Sequence, residues 1–312
     1  MKNLICCVLM IISSLITVAQ DTTFTETELS IDKFTDGTLT LPTEEYNKYL
    51  IIFIQGSGPT DRNGNQPMLQ NDGIKKIARE LAGNGIASFR YDKRIFKAQK
   101  LQLSEKDMIF EDFVEDAKNV VMHFRKEKKF SNIIIAGHSE GSLIGMLAAQ
   151  EDADAFISLA GAADPIDEII TEQVTNMAPE LGASARSAFD DLAKNGKTSN
   201  YSPMLEAIFR PSVQPFMSSW MKYDPSEEIS KLQIPVLVVN GTSDIQVSEE
   251  QAQKLAESNE NSELAILDQM NHIFRKIETK DRLVNTKSYN EPNLPLHPEL
   301  VSILTEFVKE LD

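Results

Sequence analysis

The chain is poor in cysteine and histidine, the side chains that most often form disulfides and zinc sites. Its two cysteines, Cys6 and Cys7, lie together in an apolar N-terminal segment. The rest of the chain therefore has no thiol, forms no disulfide and depends on its hydrophobic core for stability. Four histidines and no further cysteine leave little material for a zinc site.

Basic residues are also in the minority. Lysine and arginine number 31 against 47 aspartates and glutamates, which gives a formal net charge of -16. Such a surface repels nucleic-acid phosphates and anionic membranes, so we expect neither as a partner. The 312 residues are enough for one large α/β domain or two small ones, and for a sizeable core.

The apolar run at the N-terminus, residues 4–18, is shorter than a membrane-spanning helix, which needs roughly 20 apolar residues. Lys2 precedes the run and small residues follow it at 17–19, so residues 1–19 are predicted to be a secretory signal peptide. No cysteine stands at the cleavage point, which argues against a lipoprotein. We expect a mature chain of residues 20–312 that is secreted or periplasmic and not stably bound to a membrane. The alternative is a retained membrane anchor.

Short apolar runs alternate with segments of helical periodicity along the chain. Asp36-Gly37 lies between two alternating runs and predicts an antiparallel hairpin near the N-terminus. Beyond it, six apolar runs have the length of buried strands, namely 49–54, 86–91, 132–136, 155–159, 235–239 and 264–267. Helical spacing is found at 68–81, 107–128 and 298–311. This alternation predicts a mostly parallel central sheet with helices on both faces, an α/β fold.

The segment 164–224 interrupts the alternation, because it contains helical patterns and no convincing strand. We expect a helical insertion that forms a cap over the strand ends. Its methionines and aromatic residues include Phe216, Met217 and Trp220, which we predict to line a substrate pocket. Alternatively, such side chains only pack the cap helices against one another.

The glycine-rich turn at 137–141 has the pattern of a nucleophile elbow. An apolar strand precedes Gly137-His138-Ser139-Glu140-Gly141, and a helix rich in small residues follows it. In a Gly-x-Ser-x-Gly turn of this kind, the glycines allow close backbone contacts and the serine hydroxyl projects from the turn. The N-terminus of the helix can stabilise a developing oxyanion. Ser139 is therefore the predicted catalytic nucleophile.

The stretch 137–141 resembles the Gly-His-Ser-Glu-Gly elbows found in a branch of secreted bacterial serine esterases of the α/β-hydrolase superfamily. The order of elements along the mature chain is similar to that fold throughout. The resemblance implies an α/β-hydrolase fold and a catalytic triad in the order serine, acid, histidine.

The same resemblance places the other triad members after the last two strands. Asp244 follows the penultimate apolar strand and is the predicted acid, with Asp268 as the alternative. His272 lies in the loop after the final strand and is the predicted base. His297 precedes a proline at a helix start and is interpreted as structural. His272 would take the proton of Ser139, while the acid orients the imidazole and stabilises its cation.

Two backbone amides would complete an oxyanion hole. By analogy with the superfamily, one belongs to Glu140 and the other to Ser57, with Gly58 as the alternative. Many relatives have His-Gly where this chain has Gln55-Gly56, a departure that alters the local hydrogen bonding but leaves the backbone donor.

The side chains beside Ser139 also invite predictions. The carboxylate of Glu140 is expected to pair with a basic residue of 90–94 or with Arg62 and so to brace the loops around the pocket. A solvated carboxylate is the alternative. His138 is expected to pack and to form hydrogen bonds rather than to act as a base.

These features predict an enzyme that hydrolyses small-molecule carboxylic esters through an acyl-enzyme, with no metal or organic cofactor. A peptidase or amidase would use the same groups, and Glu227-Glu228 is a weak candidate for binding a peptide amino terminus. An acyltransferase or thioesterase would use them as well. A non-catalytic binding protein on the same scaffold is less consistent with a complete triad.

Overall fold

The computed structural model describes residues 23–44 and 48–311, so the predicted signal peptide at 1–19 lies outside the described residues. Within them, one sheet of eight strands has the order β1-β2-β4-β3-β5-β6-β7-β8. The strands are β1 (Phe24–Ser30), β2 (Asp36–Pro42), β3 (Tyr49–Ile54), β4 (Ala87–Tyr91), β5 (Asn132–His138), β6 (Ala155–Leu159), β7 (Val236–Gly241) and β8 (Ser262–Leu267). From β4 to β8 all neighbours are parallel, which confirms the predicted sheet.

The N-terminal hairpin is confirmed, but its turn does not lie at Asp36-Gly37. Strands β1 and β2 pair antiparallel, and β2 joins the rest of the sheet antiparallel to β4. The turn is made by residues 31–35, where the Asp32 carboxylate accepts two backbone hydrogen bonds. Gly37 lies within β2, where the ring of Phe89 occupies the space that a Cβ would need. The glycine thus serves a close packing contact and not a turn.

Helices connect most of the strands and form the segment between β6 and β7. The α-helices are α1 (Gly73–Gly83), α2 (Ala98–Leu101), α3 (Phe110–Glu127), α4 (Glu140–Asp152), α5 (Ile166–Met177), α6 (Pro179–Asn195), α7 (Glu206–Phe209), α8 (Gln214–Trp220), α9 (Pro225–Ser230), α10 (Glu249–Glu257), α11 (Arg282–Ser288) and α12 (Leu300–Lys309). Short 3-10 helices lie at Arg94–Lys97, Glu105–Asp107 and Pro203–Leu205.

The sheet is covered on both faces. Helices α1 and α12 pack on one face, and α3, α4 and α10 pack on the other. Strand β3 is buried along its whole length: Leu50, Ile52 and Ile54 face one helical layer. Ile51 and Phe53 face the other layer. A strand buried on both sides is apolar without alternation, which explains the continuous run in the sequence.

Helix α1 begins at Gly73, later than the periodicity from residue 68 predicted. The side chain of Asn65 accepts hydrogen bonds from the amides of Asn71 and Asp72 and so stabilises a loop before the helix. Met68, counted as part of the helical pattern, is almost fully exposed in that loop. Local hydrogen bonds from an asparagine side chain therefore outweigh the apolar spacing here.

Residues 164–224 contain helices α5 to α8 and one 3-10 helix, with no strand. Their side chains form one wall of a cavity whose opposite wall includes Ser57 and Ser139, at the carboxyl ends of β3 and β5. The segment therefore lies over the edge of the sheet where the parallel strands have their carboxyl ends. Among the helices that the structure describes, none has both the length and the apolar character needed to cross a membrane.

Candidate active site

Ser139 occupies a sharp turn between β5 and α4. Its backbone has φ 54° and ψ -119°, a conformation that is unfavourable for a residue with a side chain. A Cβ on Gly137 would overlap the carbonyl of Gly141, and a Cβ on Gly141 would overlap the carbonyl of Ile54. Both glycines are thus required for the turn, as the Gly-x-Ser-x-Gly pattern predicts.

Asp244 and His272 form a buried pair in the loops after β7 and β8. Asp244 Oδ2 lies 2.7 Å from His272 Nδ1, and the two side chains are at most 4 % exposed. The other carboxylate oxygen accepts hydrogen bonds from the backbone amides of Gln246 and Val247, and these bonds fix the orientation of the acid. A carboxylate only accepts, so Nδ1 carries a proton and, in the neutral imidazole, Nε2 is left free to act as a base.

Asp268, the alternative acid, has a different environment. Its carboxylate accepts a hydrogen bond from the hydroxyl of Thr242, and its backbone carbonyl oxygen lies 3.0 Å from His297 Nε2. His297 is buried, and its backbone amide donates to the carbonyl of Phe274. Its hydrogen bonds therefore join the loop after β8 to the segment that precedes α12. The structure therefore places Asp244, and not Asp268, beside His272.

The imidazole of His138 lies against that of His272, with 4.8 Å between the ring centroids. His138 Nε2 is 3.0 Å from the backbone carbonyl of His272. Burial lowers the pKa of His138 to about 3, and the neighbouring imidazole adds to the shift. His138 is therefore neutral at ordinary pH, and its Nε2–H donates to the loop that carries His272.

Ser139 and His272 are not joined by a hydrogen bond within the described part of the chain. Catalytic hydrogen bonds often form only when substrate closes the site, so this arrangement is compatible with a serine-histidine pair. The amides of Glu140, Ser57 and Gly58 likewise have no acceptor among the described residues. All three residues line the same cavity as Ser139. Unpaired amides at a helix N-terminus and in an adjoining loop can bind an oxyanion.

Glu140 forms a buried ion pair with Lys93. Lys93 Nζ lies 2.6 Å from Glu140 Oε1, and the two side chains are 5 % and 2 % exposed. The ammonium also donates to the carbonyl of Gly56, at 2.9 Å. Of the two alternatives expected for Glu140, the partner is thus a base of 90–94. Arg62 instead pairs with Asp92.

The cavity above Ser139 has a volume of about 850 Å³. Phe216, Met217 and Trp220 line it, together with several aliphatic side chains of α5 and Leu181 of α6. Its acidic side chains are all paired with bases. Glu105 binds Arg210, Asp164 binds Lys254, and Glu140 binds Lys93. The wall is therefore largely apolar and without an unpaired acid among the described residues.

Comparison with known proteins identifies the superfamily. Residues 72–276 match the family described as Serine aminopeptidase, S33. The chain belongs to this family. Its strand order, its elbow and its relatives place it in the α/β-hydrolase superfamily, as the sequence predicted.

A relative of this S33-family chain is named as an esterase. The chain is 27% identical over 274 residues to "Esterase EstD" of Thermotoga maritima, a match that covers 82% of this chain and 62% of the esterase. The fold is similar to Est1E from Butyrivibrio proteoclasticus, with a TM-score of 0.57, 18% identity and coverage of 92% and 98%. It is also similar to a proline iminopeptidase of Mycobacterium smegmatis, with a TM-score of 0.55, 13% identity and coverage of 92% and 98%. At such identities the two structures show the fold alone.

The residue of this S33-family site that the sequence did not single out is Lys93. The run 90–94 lies at the end of a buried strand and contains three basic residues. The sequence therefore predicts a basic partner for Glu140 in this run but does not say which of the three it is. Arg90 pairs with Glu26 and Arg94 with Asp116, each outside the cavity wall. The path of the loop after β4 decides which of the three basic side chains reaches Glu140, and sequence spacing does not determine that path.

Proposed function

We propose that this protein is a serine hydrolase that cleaves carboxylic esters through an acyl-enzyme on Ser139. The observation that carries the proposal is the buried hydrogen bond of 2.7 Å between Asp244 and His272, in the loops at the same sheet edge as Ser139. A positive-φ serine that lines a cavity and a buried carboxylate-imidazole pair at the same sheet edge supply the groups required for acyl transfer.

The mechanism follows from these groups. His272 Nε2 removes the proton of the Ser139 hydroxyl as Oγ attacks the ester carbonyl, and Asp244 stabilises the imidazolium. The amides of Glu140 and Ser57, or Gly58 in its place, donate to the oxyanion. The imidazolium then protonates the leaving alcohol, and the acyl group stays on Oγ. Water, activated by the same imidazole, hydrolyses the acyl-enzyme and restores the serine.

The cavity favours an uncharged, apolar acyl group. Each methylene group of an acyl chain that is buried against apolar walls contributes about 0.8 kcal/mol to binding. Its paired acids leave no free carboxylate to bind a substrate ammonium within the described wall. We therefore place esters with an aliphatic or aromatic acyl group first among the substrates.

Peptide or amide hydrolysis is the second candidate, because the family's name refers to aminopeptidases. The observation needed for it would be an acid that holds a peptide amino terminus. Glu228 is instead paired with Lys231, and neither Glu227 nor Glu228 lines the cavity. Comparing an ester with its matching amide tests this candidate. A kcat/KM for the amide equal to or above that of the ester would overturn the ester proposal.

The first experiment is labelling by a fluorophosphonate together with ester kinetics. Wild-type protein should be labelled, and Ser139→Ala should not. Asp244→Asn should lower kcat about 10³–10⁴-fold, because the imidazole loses its oriented tautomer. Asp268→Asn is the matched control and should change kcat only a few-fold. Folded wild-type protein that takes no label would indicate a non-catalytic binding protein.

We also propose that residues 1–19 direct export and are removed. The support is the sequence alone: a lysine, a short apolar run and small residues at 17–19. N-terminal sequencing of protein from the producing cells should begin at Gln20. A chain that retains residue 1 and stays with the membrane fraction would contradict this.

A further inference from the structure

We infer that Lys93 is a positioning residue that holds both predicted donors of the oxyanion hole. The inference rests on the proposed function of Ser139 and deepens it. One ammonium contacts the side chain of Glu140 at 2.6 Å and the carbonyl of Gly56 at 2.9 Å. The amide of Glu140 is one predicted donor, and the amide of Ser57, next to Gly56, is the other.

The contact with Gly56 acts on the Ser57 amide directly. The carbonyl of Gly56 and the N–H of Ser57 belong to one peptide unit, and the described residues contain no cis peptide bond. In a trans peptide, C=O and N–H point in opposite directions. A cation bound at the oxygen therefore aims the N–H away from Lys93. It also draws electrons toward the oxygen, which makes the N–H a stronger donor.

The same peptide lies against the nucleophile. A Cβ built on Gly56 would be 3.3 Å from Ser139 Cβ, so the backbone at Gly56 is in close contact with the elbow. Small movements of this loop would alter the distance from the Ser57 amide to an oxyanion on Ser139. A fixed hydrogen bond at the Gly56 carbonyl limits such movements.

The contact with Glu140 acts on the other donor. Glu140 is the first residue of α4, so its amide has no acceptor within the helix. Its side chain is buried and holds the ammonium, which ties the start of α4 to the loop after β3. The two donors, which come from segments far apart in the sequence, are thereby held at a constant separation.

The site around Lys93 is built to keep the ammonium in place. On one side, Asp92 binds the backbone and guanidinium of Arg62. On the other side, Arg94 binds the buried carboxylate of Asp116. Because Glu140 neutralises the charge of Lys93, the pair acts by orienting and polarising amides and adds no net charge to the cavity. A buried pair that adds no net charge but contacts both segments that carry the predicted oxyanion donors is best explained by positioning.

The test is the double variant Lys93→Met/Glu140→Leu, which removes both charges and leaves neither unpaired. Measured on an apolar ester, kcat should fall about 10²–10³-fold, the loss that follows removal of one oxyanion donor. KM should stay within a few-fold. Inhibition by a trifluoromethyl ketone, whose serine adduct carries an oxyanion, should weaken by the same factor as kcat.

The matched control is Arg90→Met/Glu26→Leu, which removes the ion pair between β4 and β1 outside the cavity wall and also takes the Glu26 partner from the half-exposed Arg79. It should destabilise the fold without a comparable loss of kcat. If both double variants lose kcat equally, or if folded Lys93→Met/Glu140→Leu retains wild-type kcat, the inference is overturned. Failure of the proposed function looks different, because wild-type protein itself would then show no esterase activity and no fluorophosphonate labelling.

Should the double variant not fold, Glu140→Gln decides the question. Glutamine has the same shape and can still accept a hydrogen bond from the ammonium, but it lacks the negative charge that pairs with buried Lys93. We expect kcat to fall about tenfold with KM nearly constant. Unchanged kcat, unchanged ketone inhibition and an unchanged melting temperature would overturn the inference.

Discussion

At the scale of single residues, His138 shows how a histidine beside a nucleophile can have no role as a base. Its ring packs on His272 and on Phe274, with centroids 4.8 and 4.9 Å away. Burial brings its pKa to about 3, so the ring remains neutral where the enzyme is expected to work. Its Nε2–H supports the backbone of the loop that carries the proposed base.

This pKa predicts an acid-sensitive contribution to stability. The pKa of His138 in the folded chain is about 3, below the ordinary value of 6.5, so the unfolded chain binds more protons between those values. The contribution is complete above pH 6.5 and is lost as the pH falls toward 3, at no more than about 1.4 kcal/mol per pH unit. In His138→Gln the amide still donates to the carbonyl of His272 but does not titrate.

Urea unfolding of wild-type protein and His138→Gln between about pH 6.5 and 4.5 checks this prediction, because the carboxylates that begin to titrate toward the lower pH are the same in both proteins. The free energy of unfolding of wild-type protein should fall more steeply with acidification than that of His138→Gln. Parallel curves for the two proteins would show that His138 does not titrate differently on folding.

At the scale of secondary structure, helix α4 lies close to the sheet because its inner face is made of small residues. A Cβ on Gly145 would be 2.8 Å from the ring of Phe156 and 3.1 Å from a methyl group of Ile135. Both neighbours are fully buried in the sheet. The close approach brings the N-terminus of α4, and with it the Glu140 amide, against the loop after β3.

We predict that Gly145→Ala destabilises the fold by about 1–3 kcal/mol, the usual cost of overpacking. Gly83→Ala is the control, because Gly83 is exposed at the end of α1 and its nearest atom would be 3.9 Å away. That variant should be as stable as wild type or up to about 1 kcal/mol more stable, since alanine favours helix. Denaturant midpoints measure both. Equal midpoints for the two variants would contradict the packing argument.

At the scale of the whole molecule, the cavity exists only because the cap lies over the sheet edge. Helix α5 contributes Ile166, Ile169 and Ile170 to its wall, and the sheet side contributes Ser139. Under the proposed function, the cap would therefore select the substrate and the sheet edge would carry the chemistry. Changes in the cap should alter the preference among acyl groups without altering the chemical step.

Ile170→Ser tests this division. The kcat/KM for an octanoyl ester should fall about tenfold relative to that for an acetyl ester, because a long chain loses apolar contact with the wall. Val284→Ser is the control, since Val284 is a partly exposed apolar residue of α11 that does not line the cavity. It should leave the ratio of the two substrates unchanged. A similar shift in both variants would mean that the cap wall does not select the acyl group.

Much of the fold could be predicted because burial on two faces makes strands into continuous apolar runs. The runs at 49–54 and 155–159 became β3 and β6 with unchanged limits. The positive-φ turn at Ser139 was predictable because it requires glycines at fixed positions. Two features were not. The hairpin turn does not lie at Asp36-Gly37, and helix α1 begins later than its periodicity indicates, because in each case a side chain such as Asp32 or Asn65 forms local hydrogen bonds that periodicity does not show.

The amino-acid sequence by itself determined the fold class, the elbow around Ser139 and the chain order of the candidate acid and base. Only the tertiary structure distinguished Asp244 from Asp268 and selected Lys93 from three neighbouring basic residues. The physical reason is that strand and turn patterns depend on near neighbours in the chain. Hydrogen bonds between loops depend instead on the relative positions of residues that are far apart in the chain and that only folding brings together.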